Sequence, residues 1–306
     1  MKFYSNGKLL LTGEYAVLDG AKALALPTRF GQSLEVKPSE DRKITWKSFD
    51  ENDQIWLEAE ISFKNGEFHF NQSNNPEEAQ LHKRLQQILS EADKMNPETI
   101  NENKGLEIIT NLDFKRRWGL GTSSTLINNI AQWFEIDAFQ LLKKTFGGSG
   151  YDIAAAQKNH PITYQITEQG PSVLQTHFDP PFGDQLFFVY LNRKQNSREA
   201  IAHYRNQPEG NKKNLTDKIS ALTQQISLCE ELQEFEMLLE IHETLISKAI
   251  NLPKIKTELF SDFRGKIKSL GGWGGDFILA TGGTAEQEYF RSKGYDTIFN
   301  YSEIIL

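Results

Sequence analysis

Apolar and polar residues alternate in short runs through the first seventy residues, and a period of two predicts strands. Strands are expected at 8–11, 23–25, 32–37, 43–48, 55–63 and 67–71, with Pro27 ending the second. Asn65-Gly66, between the last two, is a two-residue hairpin signal. The period changes at Asn75-Pro76, a cap followed by a first-turn proline. A helix is predicted from there to residue 94, with Ala79, Leu81, Leu85, Ile88 and Leu89 as its core stripe. A strand at 106–111 leads into a second helix whose apolar face is Leu126, Ile127, Ile130, Trp133 and Phe134. A short helix at 137–146, a helix start at 151 and a strand at 162–167 follow. Residues 168–183 contain Gly170-Pro171 and Pro180-Pro181 and predict a loop at a domain boundary. Beyond it come a buried strand at 186–191, an αα-hairpin over 214–250 and a helix near 258–270. A strand at 277–281, a helix opened by the capping-box spacing Thr284 to Gln287 and stopped at Gly294, and a strand at 296–301 complete the pattern. The fold class is α+β, in two domains of residues 1–178 and 179–306.

Composition narrows the class. The 306 residues suffice for two domains, and 38% hydrophobic with 25% charged residues is ordinary for a globular chain. A net charge of −7 argues against nucleic acid and acidic membranes as partners. The single cysteine excludes a disulfide framework and zinc-type cysteine clusters. No apolar run reaches the roughly 20 residues that span a bilayer. The first fifteen residues lack a signal-peptide pattern, so a soluble cytoplasmic protein is expected.

Four stretches carry candidate chemistry. Gly119-Leu120-Gly121-Thr122-Ser123-Ser124 runs into a helix N-terminus. Glycines let backbone come close to a ligand, the first helical N–H groups lack intrahelical partners, and the helix dipole favours an anion. The hydroxyls add donors to phosphate and a ligand for magnesium. A capped tight turn has the same spelling. Neither a Walker loop nor a dinucleotide fingerprint is present. Lys8 interrupts a leucine strand in Gly7-Lys8-Leu9-Leu10-Leu11-Thr12-Gly13-Glu14-Tyr15; it is either an exposed edge-strand lysine or an ammonium held in a site. Asp152, after Gly148-Ser149-Gly150-Tyr151, is either a first-turn dipole residue or a general base. Gly271-Gly272-Trp273-Gly274-Gly275-Asp276 is too glycine-dense for a simple turn and predicts a close backbone approach.

Three glycine motifs in this order resemble the GHMP kinases, the galactokinase–homoserine kinase–mevalonate kinase–phosphomevalonate kinase superfamily. The resemblance covers residue 7 to about 280, and Glu14-Tyr15 and Tyr151-Asp152-Ile153-Ala154 are similar to the phosphomevalonate kinase form. It implies an N-terminal ribosomal-protein-S5-domain-2-like domain that binds ATP and a C-terminal ferredoxin-like α+β domain. It implies an ATP-dependent small-molecule kinase of the mevalonate pathway, in isoprenoid biosynthesis, acting as monomer or homodimer on phosphomevalonate or mevalonate. Asp152 and Lys8 would be catalytic. Gly119, Leu120, Gly121, Thr122, Ser123 and Ser124 would bind ATP, with Ser123 meeting Mg2+. Glu14, Tyr15, Ser149, Ser197 and Arg198 would lie on the acceptor side, and Gly271, Gly272, Gly274, Gly275 and Asp276 form the third motif.

The chain departs from the pattern in four places, one of them the short segment between Ser124 and Asp152. Leu141 stands where mevalonate kinases carry a magnesium-binding Glu, Arg116-Arg117-Trp118 replaces a small-residue lead-in, and Trp273 replaces a glycine or alanine. Two other readings stay open: a kinase for a sugar or homoserine-like alcohol, and a relative that binds nucleotide without turnover.

Overall fold

The computed structural model describes the whole chain except residues 102–103 and 194–197. In chain order the elements are β1 (Lys2–Thr12), β2 (Ala23–Ser39), β3 (Ile44–Phe49), β4 (Ile55–Lys64), β5 (Glu67–Phe70), α1 (Pro76–Met95), β6 (Gly105–Leu112), α2 (Thr122–Phe134), α3 (Ala138–Thr145) and α4 (Tyr151–Ala156). Then come β7 (Ile162–Thr167), β8 (Gly170–Gln175), β9 (Leu186–Tyr190), α5 (Arg198–Arg205), α6 (Glu209–Ser227), α7 (Leu232–Ile250) and α8 (Ile255–Leu259). Last are β10 (Ile267–Ser269), β11 (Phe277–Thr281), α9 (Thr284–Ser292), β12 (Ile298–Asn300) and α10 (Tyr301–Ile304). No helix among the described residues is long and apolar enough to cross a membrane.

The chain forms two compact units that interleave in sequence. The first comprises residues 1–7, 30–116 and 121–157; the second comprises 8–29, 117–120 and 158–306.

In the first unit the sheet order is β5-β4-β3-β6-β2, antiparallel except for the parallel pair β3 and β6. Its alternating strands turn Trp46, Leu57, Ala59, Ile61 and Ile108 inward against Leu85, Ile88, Ile127, Ile130 and Phe134 of α1 and α2. Asn75 caps α1 as its spelling predicts, accepting the Glu77 and Glu78 N–H groups. Leu141 is fully buried in this core, an apolar anchor of α3 where a metal ligand is absent.

In the second unit the first residues of β2 pair with β7, and β7 with β8. A separate antiparallel sheet has the order β10-β11-β9-β12. All five residues of β9 and of β11 are buried, with Phe260, Phe263 and Phe290 packed on them. α6 and α7 make the expected αα-hairpin, although α6 begins earlier than residue 214.

Three other expectations change. β2 runs unbroken through Pro27, which lies between the residues paired with β7 and those paired with β6, where the missing N–H costs no bond to either strand. Gly170-Pro171 opens β8 rather than a loop, and β8 is an edge strand, the position that tolerates proline. The helix near 258–270 is instead α8 ending at Leu259 and strand β10.

Candidate functional site

In the first unit the glycine loop ends at α2. Gly121 (φ +99°) is its N-cap and supplies no side chain, so the first helical amides have no side-chain acceptor. The hydroxyls divide in two directions. Ser124 is buried and donates to the Gly121 carbonyl (2.9 Å), and Thr125 donates to Gln32 Oε1 (2.7 Å). Ser123 is exposed at the helix start, and Thr122 donates to the Arg116 carbonyl (3.4 Å).

Arg116 therefore has a structural explanation. Its guanidinium lies 4.7 Å from the Trp56 ring centroid and 2.9 Å from Glu77. A 260 Å³ pocket is lined by Trp56, Asn75, Glu77, Glu78, Leu81 and Arg116. The Trp56 indole N–H is buried with no hydrogen-bond partner among the described residues.

Asp152 lies in the first turn of α4, partly exposed. α4 packs on α2, and Gln157 donates to Asn128 (2.9 Å), which donates to Ser5 Oγ (2.8 Å). The structure thus holds Asp152 and the Thr122–Ser124 turn on two helices that pack together. Ser149 sits in the loop just before, partly buried.

The second unit holds the other motif residues. Lys8 is buried rather than an exposed edge lysine, and its Nζ donates to the Gly119 carbonyl (2.8 Å). Its own N–H donates to the Leu120 carbonyl (2.9 Å). Gly119 (φ +71°) admits no other residue, because a Cβ there would overlap the Asp276 carboxylate. The third motif therefore meets the glycine loop through Asp276. The loop residues Gly271, Gly272, Gly274 and Gly275 join β10 to β11, and Asp276 is fixed by its N–H to the Arg193 carbonyl (2.9 Å). Trp118 is buried among Tyr190, Phe277 and Phe299, and Tyr190 donates to the Arg117 carbonyl (3.1 Å). The lead-in residues that break the family spelling are anchors.

Glu14, expected on the acceptor side, lies in a closed polar network. It is 2% exposed and bonded to Lys268, itself 0% exposed. Lys268 also pairs with Glu243 (3.1 Å) and lies 5.7 Å from the Trp273 ring centroid. Glu243 accepts from Ser269 N–H (3.0 Å) and Oγ (3.2 Å), and His242 Nε2 accepts from Gly13 N–H (3.1 Å). Burial pushes the Glu14 carboxyl up to about 7, with Lys268 opposing it, and pushes Glu243 up as well. Burial, with Lys268 beside it, holds His242 well below its ordinary value and so neutral. Burial alone would lower Lys268, but its two carboxyl partners outweigh that and raise it. Trp273 is buried and donates to the Pro253 carbonyl (3.0 Å), so it walls this network.

Tyr15 is buried at φ +60°, with its ring 6.2 Å from Tyr204 and its hydroxyl without a hydrogen-bond partner among the described residues. Ser197 lies outside the described residues, and Arg198 is described only as the first residue of α5. Sequence reasoning missed Lys268, His242 and Glu243. The one signal was a lysine placed three residues before the third motif. Among the described residues no group of three or more His, Cys, Asp or Glu side chains is arranged to hold a metal.

No protein-family model and no curated protein matches the chain. Solved structures are similar over nearly their whole length. The mevalonate kinase of Methanococcus jannaschii is 15% identical with a TM-score of 0.68, covering 98% of this chain and 97% of that one. The phosphomevalonate kinase of Streptococcus pneumoniae, solved with phosphomevalonate and AMPPNP, is 15% identical with a TM-score of 0.66, covering 100% and 98%. The galactokinase of Lactococcus lactis, solved with galactose, is 13% identical with a TM-score of 0.67, covering 97% and 92%. The motifs and the architecture agree, and the chain is built on the GHMP kinase fold.

Proposed function

We propose that the protein is an ATP-dependent small-molecule phosphotransferase of the mevalonate pathway, with phosphomevalonate as first acceptor and mevalonate as second. The observation that carries this reading is the full-length kinase fold with the glycine loop at the start of α2. Open amides and the exposed Ser123 hydroxyl suit the γ- and β-phosphates. The pocket beside Trp56 and Arg116 has room for part of a purine ring.

The transfer forms a bond between the acceptor oxygen and Pγ and breaks the bond from Pγ to the β,γ-bridging oxygen, in line. With an alcohol acceptor such as mevalonate, Asp152 takes the hydroxyl proton; phosphomevalonate would attack through an already ionised phosphate oxygen and would need no such base. Lys8 supplies positive charge and fixes the Gly119 carbonyl, which keeps the loop amides turned toward phosphate. Magnesium would neutralise phosphate charge; Ser123 is the protein residue that fits it, with nucleotide and water completing its shell.

The test is ATP consumption against mevalonate, phosphomevalonate and sugars, with Asp152→Asn as control. Turnover with galactose alone would move the acceptor to the sugar class, a reading favoured by the galactokinase neighbour. ATP binding without turnover on any acceptor would make the protein a non-catalytic relative.

A further inference from the structure

Two adjacent residues of α7 grip two different motifs in the second unit. His242 takes the Gly13 N–H, and Glu243 takes Ser269. Lys268 closes the ring by reaching both Glu243 and Glu14. Two carboxyls and one ammonium are thus sealed from solvent, and a second full negative charge there would lack a counterion. The donors are unequally shared. Glu243 receives three, from Lys268, Ser269 N–H and Ser269 Oγ, as an ionised carboxylate requires. Glu14 receives Lys268 on Oε1 and its own backbone N–H, while Oε2 has no hydrogen-bond partner among the described residues. Oε2 lies 3.5 Å from His242 Nε2, which accepts from Gly13 and so carries no hydrogen. An ionised Oε2 would sit against a nitrogen that carries no hydrogen to give it; a protonated Oε2 could share its hydrogen with the lone pair that also takes the Gly13 N–H.

We infer that Glu14 is a neutral carboxylic acid in the working protein, and that Lys268, with His242 and Glu243, is a positioning centre for the phosphate-binding loops. This rests on the phosphotransfer reading. The ring ties the Gly13–Tyr15 turn to the strand that feeds the third motif. That motif ends in Asp276 against Gly119, and Gly119 holds the Lys8 ammonium. Lys268 touches no reacting atom; it acts through these backbones. The groups facing Glu14 are Lys268 of β10, Glu243 and His242 of α7, and the neighbouring Tyr15 hydroxyl. A carboxyl pushed up to about 7 agrees with this geometry.

The experiment has an arm that does not depend on turnover. Infrared difference spectra of wild type and Glu14→Gln at neutral pH should differ by one protonated-carboxyl carbonyl band, present only in wild type. In the second arm, wild-type kcat/KM should fall as pH rises through about 7, and the fall should be absent in Glu14→Gln. Lys268→Met should lower kcat on the order of 100-fold by displacing the loops it positions. A triple Glu14→Leu, Lys268→Met, Glu243→Leu variant that folds should not recover it. No band difference, or the same alkaline fall in both proteins, would overturn the inference even with turnover intact. A wild type that turns over no acceptor but shows the band would instead sink the phosphotransfer reading and leave the neutral acid standing.

Discussion

The start of α2 in the first unit and the Lys268 ring in the second are both polar, yet they are built on opposite physics. At α2 the donors are backbone amides and hydroxyls within four residues of one another, with Ser123 open to water. In the ring, four side chains from three segments are at most 2% exposed, and Lys268 and Glu14 are 254 positions apart. The first arrangement costs little to build and is free to serve a ligand. The second is costly unless every partner is present, so it holds geometry.

Breaking each region separately should expose that difference. The largest effect falls on chemistry: with an alcohol acceptor, Asp152→Asn should lower kcat on the order of 10²–10⁴-fold, with the ATP dissociation constant and the melting temperature unchanged. Next, Lys268→Met should destabilise the fold by about 3–5 kcal/mol in denaturant titration, because it strands a buried carboxylate. An unchanged midpoint would show that the ring does not hold the fold together.

The pH response sharpens the contrast further. Glu14 rises from 4.5 to about 7 on folding, so its share of stability is full below pH 4.5 and is lost as pH rises to about 7, by roughly 3 kcal/mol. His242 works in the opposite sense: neutral when folded, it costs stability as pH falls below 6.5. The two slopes oppose each other between pH 4.5 and 6.5. Glu14→Gln should therefore leave a stability that falls toward acid more steeply than wild type. Parallel curves for the two proteins would contradict this assignment. The smallest effect belongs to α2: Ser123→Ala should leave stability within about 0.5 kcal/mol and weaken ATP binding by about 1 kcal/mol in calorimetry.

The same contrast explains what was legible in the sequence. Elements set by local period, such as α1 with its Asn75 cap and the β3–β4 alternation, fall where the pattern puts them. Glycine motifs are also local, and their order pointed to the fold. Pro27 and Pro171 misled because proline's cost depends on whether its missing N–H faces a partner strand. Lys268 on β10 looked like a polar helical position because nothing nearby reveals that Glu14 and Glu243 await it. Trp273 and Trp118 read as departures from a motif; packing against Lys268 and against Tyr190, Phe277 and Phe299 gives each a reason.

The ring also sets an order of events during synthesis. Gly13 and Glu14 leave the ribosome long before His242, Glu243 and Lys268 exist, and at about 5–20 residues per second that interval is many seconds. Until then the turn at Gly13–Tyr15, with Tyr15 at φ +60°, has neither its acceptor nor its counterion. Closing so long a loop is entropically late. The first motif to be made is therefore among the last to be set, and a nascent chain stalled before Lys268 carries Glu14 as an ordinary ionised carboxylate.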